Sequence, residues 1–143
     1  MVYWFTGQPG AGKTTLANKL VEYFTNNYTF VHHIDGDDLR EVFNNKDYSE
    51  WGRRKNVERA QDIALYLNTK SNVIVSLVSP FKDQREFFKS TTKVKEIYVH
   101  TTNKRGREDY HVPDYEAPTS DFINIDTTDK TIMESFIEIL EKI

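Results

Sequence analysis

Apolar positions along the chain alternate between short, mostly uncharged runs and longer stretches in which they recur every three or four residues. The short runs predict β-strands at 2–6, 29–35, 72–79, 94–101 and 122–127. The longer stretches predict helices at 13–27, 36–44, 49–70, 80–90 and 129–143. The run NVIVSLVS at 72–79 is β-branched and uncharged, which is typical of a strand inside a parallel sheet. The pattern therefore predicts five strands and five helices that broadly alternate along the chain.

This alternation predicts an α/β fold with a mainly parallel five-stranded sheet and helices on both of its faces, because right-handed crossovers place them there. The length of 143 residues suits one domain, 1–143. Ligands of such sheets bind beyond the carboxyl ends of the strands. The candidate site is therefore made of the segments that follow the strands, which are 7–15, 35–40, 78–85 and 101–120.

Composition narrows the possible function. The chain contains no cysteine, which excludes disulfides, thiolate–metal sites and cysteine nucleophiles. The net charge of −3 provides no overall attraction to nucleic acid, so we do not expect a nucleic-acid partner. No apolar run has membrane-spanning length, and the first residues lack the basic and apolar regions of a secretory signal. We therefore expect a cytoplasmic protein that acts on a small molecule.

The most specific local motif is GQPGAGKT at 7–14, which matches G-x-x-x-x-G-K-[ST] between a predicted strand and a predicted helix. Such a loop directs backbone N–H groups and the positive end of the helix at phosphate oxygens. It predicts a P-loop NTPase-type three-layer sandwich, with Lys13 at the β- and γ-phosphates and Thr14 as a ligand of Mg²⁺. The predicted ATP-binding residues of this loop are Gly7, Gln8, Pro9, Gly10, Ala11, Gly12, Lys13, Thr14 and Thr15.

A second cluster, IDGDDLR at 34–40, follows the second predicted strand. A carboxylate here can organise Mg²⁺ or accept the proton of an attacking hydroxyl, and Arg40 can hold an anionic group of the acceptor. We therefore assign Asp35 as a catalytic residue and, with Thr14, as a metal ligand. The competing interpretation is that these acids cap the following helix, and Asp38 is the residue to which we assign that role.

The order of these motifs resembles that of the adenylylsulfate (APS) kinases, which use ATP to phosphorylate the 3′-hydroxyl of adenosine 5′-phosphosulfate and release PAPS and ADP. The resemblance spans nearly the whole chain. It rests on the phosphate loop, DGDDLR at 35–40, YSEWGRRKN at 48–56, VSPFK at 78–82 and PDYEAP at 113–118.

The resemblance implies roles for individual residues. Asp35 takes the position of the base or Mg²⁺ organiser, and Lys13 that of the catalytic phosphate-loop lysine. Arg53 and Asn56 would hold the phosphosulfate and ribose region, and they share a helix face because they are three residues apart. Ser79 and Pro80 are also predicted to be the N-cap and first residue of the fourth helix. The residues implied to contact the acceptor are Asp37, Arg40, Tyr48, Arg53, Asn56, Val78 and Ser79.

The largest departure from the family lies in 101–120, which we call the lid segment. The family's lid carries a phenylalanine that stacks on the APS adenine, whereas TTNKRGREDYHV here offers Tyr110 or His111 instead. The basic side chains Arg105 and Arg107 are predicted to contact ATP, the alternative being an ordinary solvated loop. Family members also carry an extension before the first strand, which here begins at residue 2, so the sequence leaves open whether the protein is a homodimer.

The sequence is also compatible with two functions other than APS phosphorylation. One is a small P-loop kinase for a different hydroxyl acceptor, such as another nucleotide, a sugar acid or a modified nucleobase. The other is a non-catalytic nucleotide switch. A switch predicts loss of Asp35 or of the acceptor arginines, and all of them are present.

Overall fold

The computed structural model describes residues 1–143, and it contains every strand and helix that the pattern predicts. The strands are β1 (Val2–Thr6), β2 (Val31–Asp35), β3 (Asn72–Ser76), β4 (Val94–His100) and β5 (Ile123–Asp126). The helices are α1 (Lys13–Asn26), α2 (Gly36–Val42), α3 (Glu50–Leu67), α4 (Lys82–Thr91) and α5 (Ile132–Lys142), with a short 3₁₀ turn at Glu108–Tyr110. None of these helices has both the length and the apolar character that crossing a membrane requires.

The five strands form one parallel sheet, as predicted, and the structure shows their order to be β2-β3-β1-β4-β5. Side chains alternate between its two faces. Trp4 of β1 and Val75 of β3 pack with Val57 of α3 and Phe88 of α4, while Phe5 of β1 packs on the other face in the cluster formed with α1 and α5. Two helical layers therefore enclose the sheet, which confirms the predicted three-layer sandwich.

The third strand and fourth helix are shorter than predicted. β3 ends at Ser76, and α4 begins at Lys82 with Phe81 as its N-cap, so the assignment of Ser79 and Pro80 to the helix start is wrong. Ser79 has φ 47°, its hydroxyl accepts a hydrogen bond from Trp4 Nε1 at 2.9 Å, and its carbonyl accepts one from Arg85. These tertiary contacts hold Ser79 in a turn that precedes the helix.

The capping role assigned to Asp38 is also wrong. The N-cap of α2 is Asp35, whose Oδ2 accepts a hydrogen bond from the Asp37 amide at 3.2 Å. Asp38 is exposed on the first turn of the helix. The two interpretations of this acidic cluster therefore apply to the same residue, because Asp35 caps the helix and also lies at the candidate site.

A buried ion pair holds the end of the lid segment against α4 and β4. Arg85 Nε donates to Glu96 Oε1 at 2.7 Å, and both side chains are only 1% exposed. Lys89 donates to the other oxygen of Glu96 at 2.7 Å, and Arg85 also donates to the carbonyls of Ser79 and Glu116. Because every polar group of this pair has a partner, it fixes where the lid segment returns to the sheet.

Candidate active site

A cavity of about 1140 Å³ opens at the carboxyl ends of the strands. It collects all of the sequence-predicted site residues except Gly7 and Gln8. The predicted residues that line it are Pro9, Gly10, Ala11, Gly12, Lys13, Thr14, Thr15, Asp35, Asp37, Arg40, Tyr48, Arg53, Asn56, Val78, Ser79, Arg105, Arg107 and Tyr110.

Lys13 is the cation at the base of the cavity. The residue is 8% exposed, and its ammonium donates to the Gln8 carbonyl at 2.9 Å. The pKa of Lys13 is lowered to about 8, mainly by burial and also by the charge of Arg107, while Asp37 and Asp35 oppose the change. A desolvated ammonium whose hydrogen-bond partner is a neutral carbonyl attracts anions strongly, so this end of the cavity suits a phosphate chain.

Gly7 and Gln8 shape the phosphate loop from outside the cavity. Gly7 has φ 151°, and a Cβ on it would lie 2.1 Å from the Val99 carbonyl oxygen, so only glycine allows β4 to approach the loop. The Gln8 side chain forms two hydrogen bonds with Val112, donating to its carbonyl and accepting from its amide, each at 2.8 Å. The side chain of Gln8 therefore attaches the phosphate loop to the lid segment.

Asp35 lies beside Thr14 at the edge of the cavity. Its Oδ1 accepts hydrogen bonds from the hydroxyls of Thr14 at 3.2 Å and Ser76 at 2.9 Å, while Oδ2 accepts the bond from the Asp37 amide. A hydroxyl and a carboxylate oxygen side by side are suitable ligands for Mg²⁺. No cluster of three or more histidine, cysteine, aspartate and glutamate residues could hold a metal ion alone. A cation bound here would complete its coordination with phosphate and water oxygens.

Two arginines of the cavity lining flank one exposed tyrosine. The guanidinium carbon of Arg40 lies 4.1 Å from the centre of the Tyr48 ring, and that of Arg53 lies 5.9 Å from it. Arg40 is held by the carbonyls of Asn45 and Asp47, whereas Arg53 is bonded only through Nε, to the Tyr48 carbonyl at 2.6 Å. The remaining N–H groups of Arg53 are free to bind an anion next to an aromatic face.

Asn56 has a buried oxygen without a partner. The residue is 5% exposed, and its Nδ2 donates to the Gly36 carbonyl at 3.3 Å, but its Oδ1 makes no hydrogen bond. An unpaired buried acceptor is costly, and a hydroxyl donor on a ligand would satisfy it. Asn56 therefore suits a hydroxylated acceptor.

The two lid arginines have different environments. Arg105 donates to the carbonyls of Gly10 at 3.3 Å, Ala11 at 3.0 Å and Thr127 at 3.0 Å, which holds its guanidinium against the phosphate-loop backbone. The guanidinium of Arg107 makes no hydrogen bond within the protein and lies 5.4 Å from the centre of the Tyr110 ring. Arg107 is therefore the lid arginine that is available to a phosphate, whereas Arg105 supports the loop.

The PDYEAP stretch serves to anchor the lid segment. The Tyr115 hydroxyl lies 2.8 Å from Thr6 Oγ1, and burial raises its pKa, which keeps it protonated. The Glu116 amide donates to the Pro80 carbonyl at 2.8 Å, and the Glu116 carboxylate accepts from the Lys82 amide at 3.0 Å. This motif therefore joins the lid segment to the end of β1 and to the start of α4.

Sequence reasoning missed one wall of the cavity. The turn after β5 and the first turn of α5 contribute Thr127, Lys130, Thr131, Ile132 and Ser135. Ser135 is 1% exposed and its hydroxyl has no partner. The position of β5 could have indicated this wall, because β5 also ends at this edge of the sheet, but the segment after β5 is not among the four predicted site segments. Ser76 was missed as well, since it lies inside an otherwise apolar strand.

Comparisons with known proteins show which sequences and structures this chain is similar to. Residues 1–111 match the family model described as adenylylsulphate kinase. The probable adenylyl-sulfate kinase of Halalkalibacterium halodurans is 30% identical over 156 aligned positions, which cover 92% of this chain and 74% of that protein. Alignments with several other adenylyl-sulfate kinases span about half of the relative's length, between 43% and 52%.

Solved structures share the fold. The APS kinase CysC of Mycobacterium tuberculosis, in complex with AMPPNP and APS, matches with a TM-score of 0.83 at 20% identity, over 98% of this chain and 95% of that one. A hexameric APS kinase from Thiobacillus denitrificans matches with a TM-score of 0.78 at 26% identity, over 99% of this chain and 28% of that one. The architecture is therefore that of these kinases throughout the described residues.

Proposed function

Because the chain belongs to the adenylylsulphate kinase family, we propose that it transfers the γ-phosphate of ATP to the 3′-hydroxyl of adenosine 5′-phosphosulfate, giving PAPS and ADP. The observation that carries this proposal is the arrangement of the cavity. Among the lining residues, Lys13 and Arg107 supply one pair of cations, which we call the donor end, and Arg40 and Arg53 supply a second pair beside Tyr48, which we call the acceptor end. Asp35 lines the same cavity. One anion-binding end suits the donor phosphates, and the other suits the phosphosulfate of the acceptor.

The donor end neutralises charge. The backbone of the phosphate loop and Lys13 would hold the β- and γ-phosphates, and Arg107 would contact the transferred group from the lid segment. Thr14 and Asp35 would hold Mg²⁺, which supplies further charge neutralisation on the phosphates when it is bound. Arg105 would act indirectly, by holding the phosphate-loop backbone through the carbonyls of Gly10 and Ala11.

The acceptor end places the attacking hydroxyl. Arg53 and Arg40 would bind the phosphosulfate, Tyr48 would pack against the acceptor, and the unpaired Oδ1 of Asn56 would accept from a ribose hydroxyl. The 3′-oxygen attacks the γ-phosphorus, the bond to the β–γ bridging oxygen breaks, and the hydroxyl proton moves to Asp35. Oδ2 of Asp35, which accepts one hydrogen bond, has room for that proton.

The test is an ADP-release assay with ATP and Mg²⁺, with and without APS, in which the product is identified by mass. We expect ADP release to depend on APS and to match PAPS formation one to one. ATP binding without APS-dependent turnover would overturn the choice of acceptor. The same assay with other hydroxyl compounds would then identify the acceptor that fits beside Asp35 and Arg53.

Replacing Arg53 with alanine should raise the KM for APS by about 10- to 100-fold, with a smaller effect on kcat, because a charged hydrogen bond to the acceptor contributes roughly 1.5–3 kcal/mol. Steady-state kinetics with each substrate varied will measure this. The matched control is Arg54→Ala, which removes a neighbouring arginine that pairs with Glu50 and Asp83 outside the cavity. Equal effects of the two substitutions would contradict the assignment of Arg53.

The lid arginines should differ in which property they control. Arg107→Ala is expected to lower kcat on the order of 100-fold and to leave the melting temperature unchanged, because its guanidinium has no partner within the protein. Arg105→Ala should instead lower the free energy of unfolding by about 1–3 kcal/mol, because carbonyls of the phosphate loop lose their donors. Thermal unfolding and kinetics of both variants will separate the two roles, and a reversed pattern would exchange them.

A further inference from the structure

From Asp35, a row of hydrogen-bonded side chains continues along the sheet through Ser76 to His33. His33 Nε2 lies 2.8 Å from Ser76 Oγ, and Ser76 Oγ donates to Asp35 Oδ1 at 2.9 Å. We call these three residues the His33–Ser76–Asp35 network. Asp35 and Ser76 are register partners on the neighbouring strands β2 and β3, and His33 lies two residues before Asp35 on the same face. The network is therefore built into the ladder of the sheet.

Counting protons gives the network a direction. A carboxylate only accepts hydrogen bonds, and the Ser76 hydroxyl has a single proton, which it donates to Asp35. The remaining contact therefore requires His33 Nε2 to carry a proton and to donate it to Ser76 Oγ. A hydroxyl that accepts from an imidazole N–H becomes a stronger donor to the carboxylate.

We propose that His33 and Ser76 are positioning residues that fix the orientation of the Asp35 carboxylate for phosphoryl transfer, an inference that rests on the proposed function. Ser76 is 1% exposed and holds Oδ1, while the Asp37 amide approaches Oδ2 from the start of α2. Without Ser76, Oδ1 keeps only the bond from Thr14, whose hydroxyl is also the expected metal ligand. Oδ1 would then lose its one hydrogen-bond donor that has no expected role in binding the metal.

The chain contains a matched pair that does not lead to the cavity. His32 Nδ1 lies 2.7 Å from Ser71 Oγ, and the Ser71 hydroxyl donates to the Asn72 carbonyl at 2.9 Å. His32 therefore donates from Nδ1, whereas His33 donates from Nε2. The two pairs have the same chemistry, since each joins a histidine of β2 to a serine, but Ser71 directly precedes β3 and the His32 pair ends on a backbone carbonyl. His32 is thus a control for His33.

A kinetic cycle tests the proposal. Ser76→Ala should lower kcat by about 10- to 100-fold, with the KM values for ATP and APS changed by less than about 2-fold, as is typical when a supporting hydrogen bond is removed from a functional group. His33→Met should lower kcat by about 3- to 10-fold in the wild-type background, and it should have no further effect in the Ser76→Ala background. His33→Gln, whose amide N–H replaces the donor, should recover most of the loss, and His32→Met should leave kcat unchanged.

The cycle also defines what overturns the proposal. Equal effects of His33→Met in both backgrounds would show that His33 does not act through Ser76. A loss with His33→Gln as large as that with His33→Met would exclude the hydrogen bond as the cause. A rise in KM without a fall in kcat would assign these residues to binding instead.

A second measurement does not depend on turnover. In ¹⁵N-labelled protein, the His33 Nε2–H proton should be protected from solvent exchange in the wild type and should lose that protection in Ser76→Ala, while the His32 Nδ1–H proton stays unchanged. If the wild type makes no PAPS, the proposed function fails, and these spectra alone decide whether the network holds Asp35. If PAPS forms but His33 Nε2 carries no protected proton, the proposed function stands and the network is rejected.

Discussion

Replacing Asp35 with asparagine is expected to lower kcat for PAPS formation by about 10²- to 10⁴-fold while ATP binding stays within a few-fold of the wild type. The amide keeps the shape of the carboxylate and one acceptor oxygen, but it cannot take the proton of the 3′-hydroxyl and is a weaker ligand for Mg²⁺. The lysine and the backbone of the phosphate loop are unchanged, so the nucleotide still binds. Single-turnover measurements of PAPS formation and calorimetric titration with ATP will give the two quantities.

Asp38→Asn is the matched control, because Asp38 carries the same charge in the first turn of the helix that Asp35 caps, but it is exposed and lies outside the cavity lining. We expect this variant to retain wild-type kcat. Normal turnover in Asp35→Asn would remove Asp35 from the mechanism. A loss of ATP affinity as large as the loss of kcat would instead assign Asp35 mainly to binding the metal–nucleotide complex.

Replacing Lys13 with methionine is expected to reduce kcat/KM for ATP by at least about 100-fold and, at the same time, to stabilise the protein without ligand. The reason for the gain is that the fold buries an ammonium that has only a carbonyl as its hydrogen-bond partner. The difference between a pKa of about 8 and the ordinary 10.5 corresponds to about 3 kcal/mol at neutral pH. Methionine occupies similar space and carries no charge to desolvate.

The pH dependence of stability gives the same prediction a second test. The folded state lowers the pKa of Lys13, so the unfolded chain binds more protons between about pH 8 and 10.5. The destabilisation by Lys13 is therefore complete below about pH 8 and is lost as the pH rises towards 10.5. Denaturant unfolding should show the advantage of Lys13→Met at pH 7 and a smaller advantage at pH 10. A variant that is less stable than the wild type at pH 7 would show that the lysine stem matters more for packing than its charge does for desolvation.

The elements of this fold were predictable because a parallel sheet buries its interior strands on both faces. β3 therefore appears in the sequence as an uncharged run, and α5 as a regular apolar stripe. The ends of the elements were less predictable. Ser79 and Pro80 form a good local signal for the start of a helix, but Trp4, which is 75 residues away in sequence, and Arg85 bind Ser79 and hold it in a turn. A local pattern does not contain that information.

The residues of the candidate site also fall into two groups, those that the sequence could predict and those that it could not. Lys13, Thr14 and Asp35 could be predicted because phosphate binding demands particular residue types at fixed spacing. Gln8 and Arg105 lie at positions where the motifs allow any residue, and their roles depend on carbonyls and amides that only the folded chain brings together. Ser76 could not be predicted for a different reason: a single serine within a β-strand belongs to no motif, so the sequence alone gives it no functional role.

The hydrogen bonds between the lid segment and the phosphate loop also affect how much conformational entropy the lid loses when a nucleotide binds. A long, free lid must lose conformational entropy when it closes over ATP, and that loss weakens affinity. Here Arg105 and Val112 are already bonded to the loop, so much of that ordering takes place during folding. The stretch between them carries Arg107 and Tyr110 and contains the 3₁₀ turn at Glu108–Tyr110. A short lid fixed at both ends of this stretch can thus contribute a cation to the phosphates at a small entropic cost.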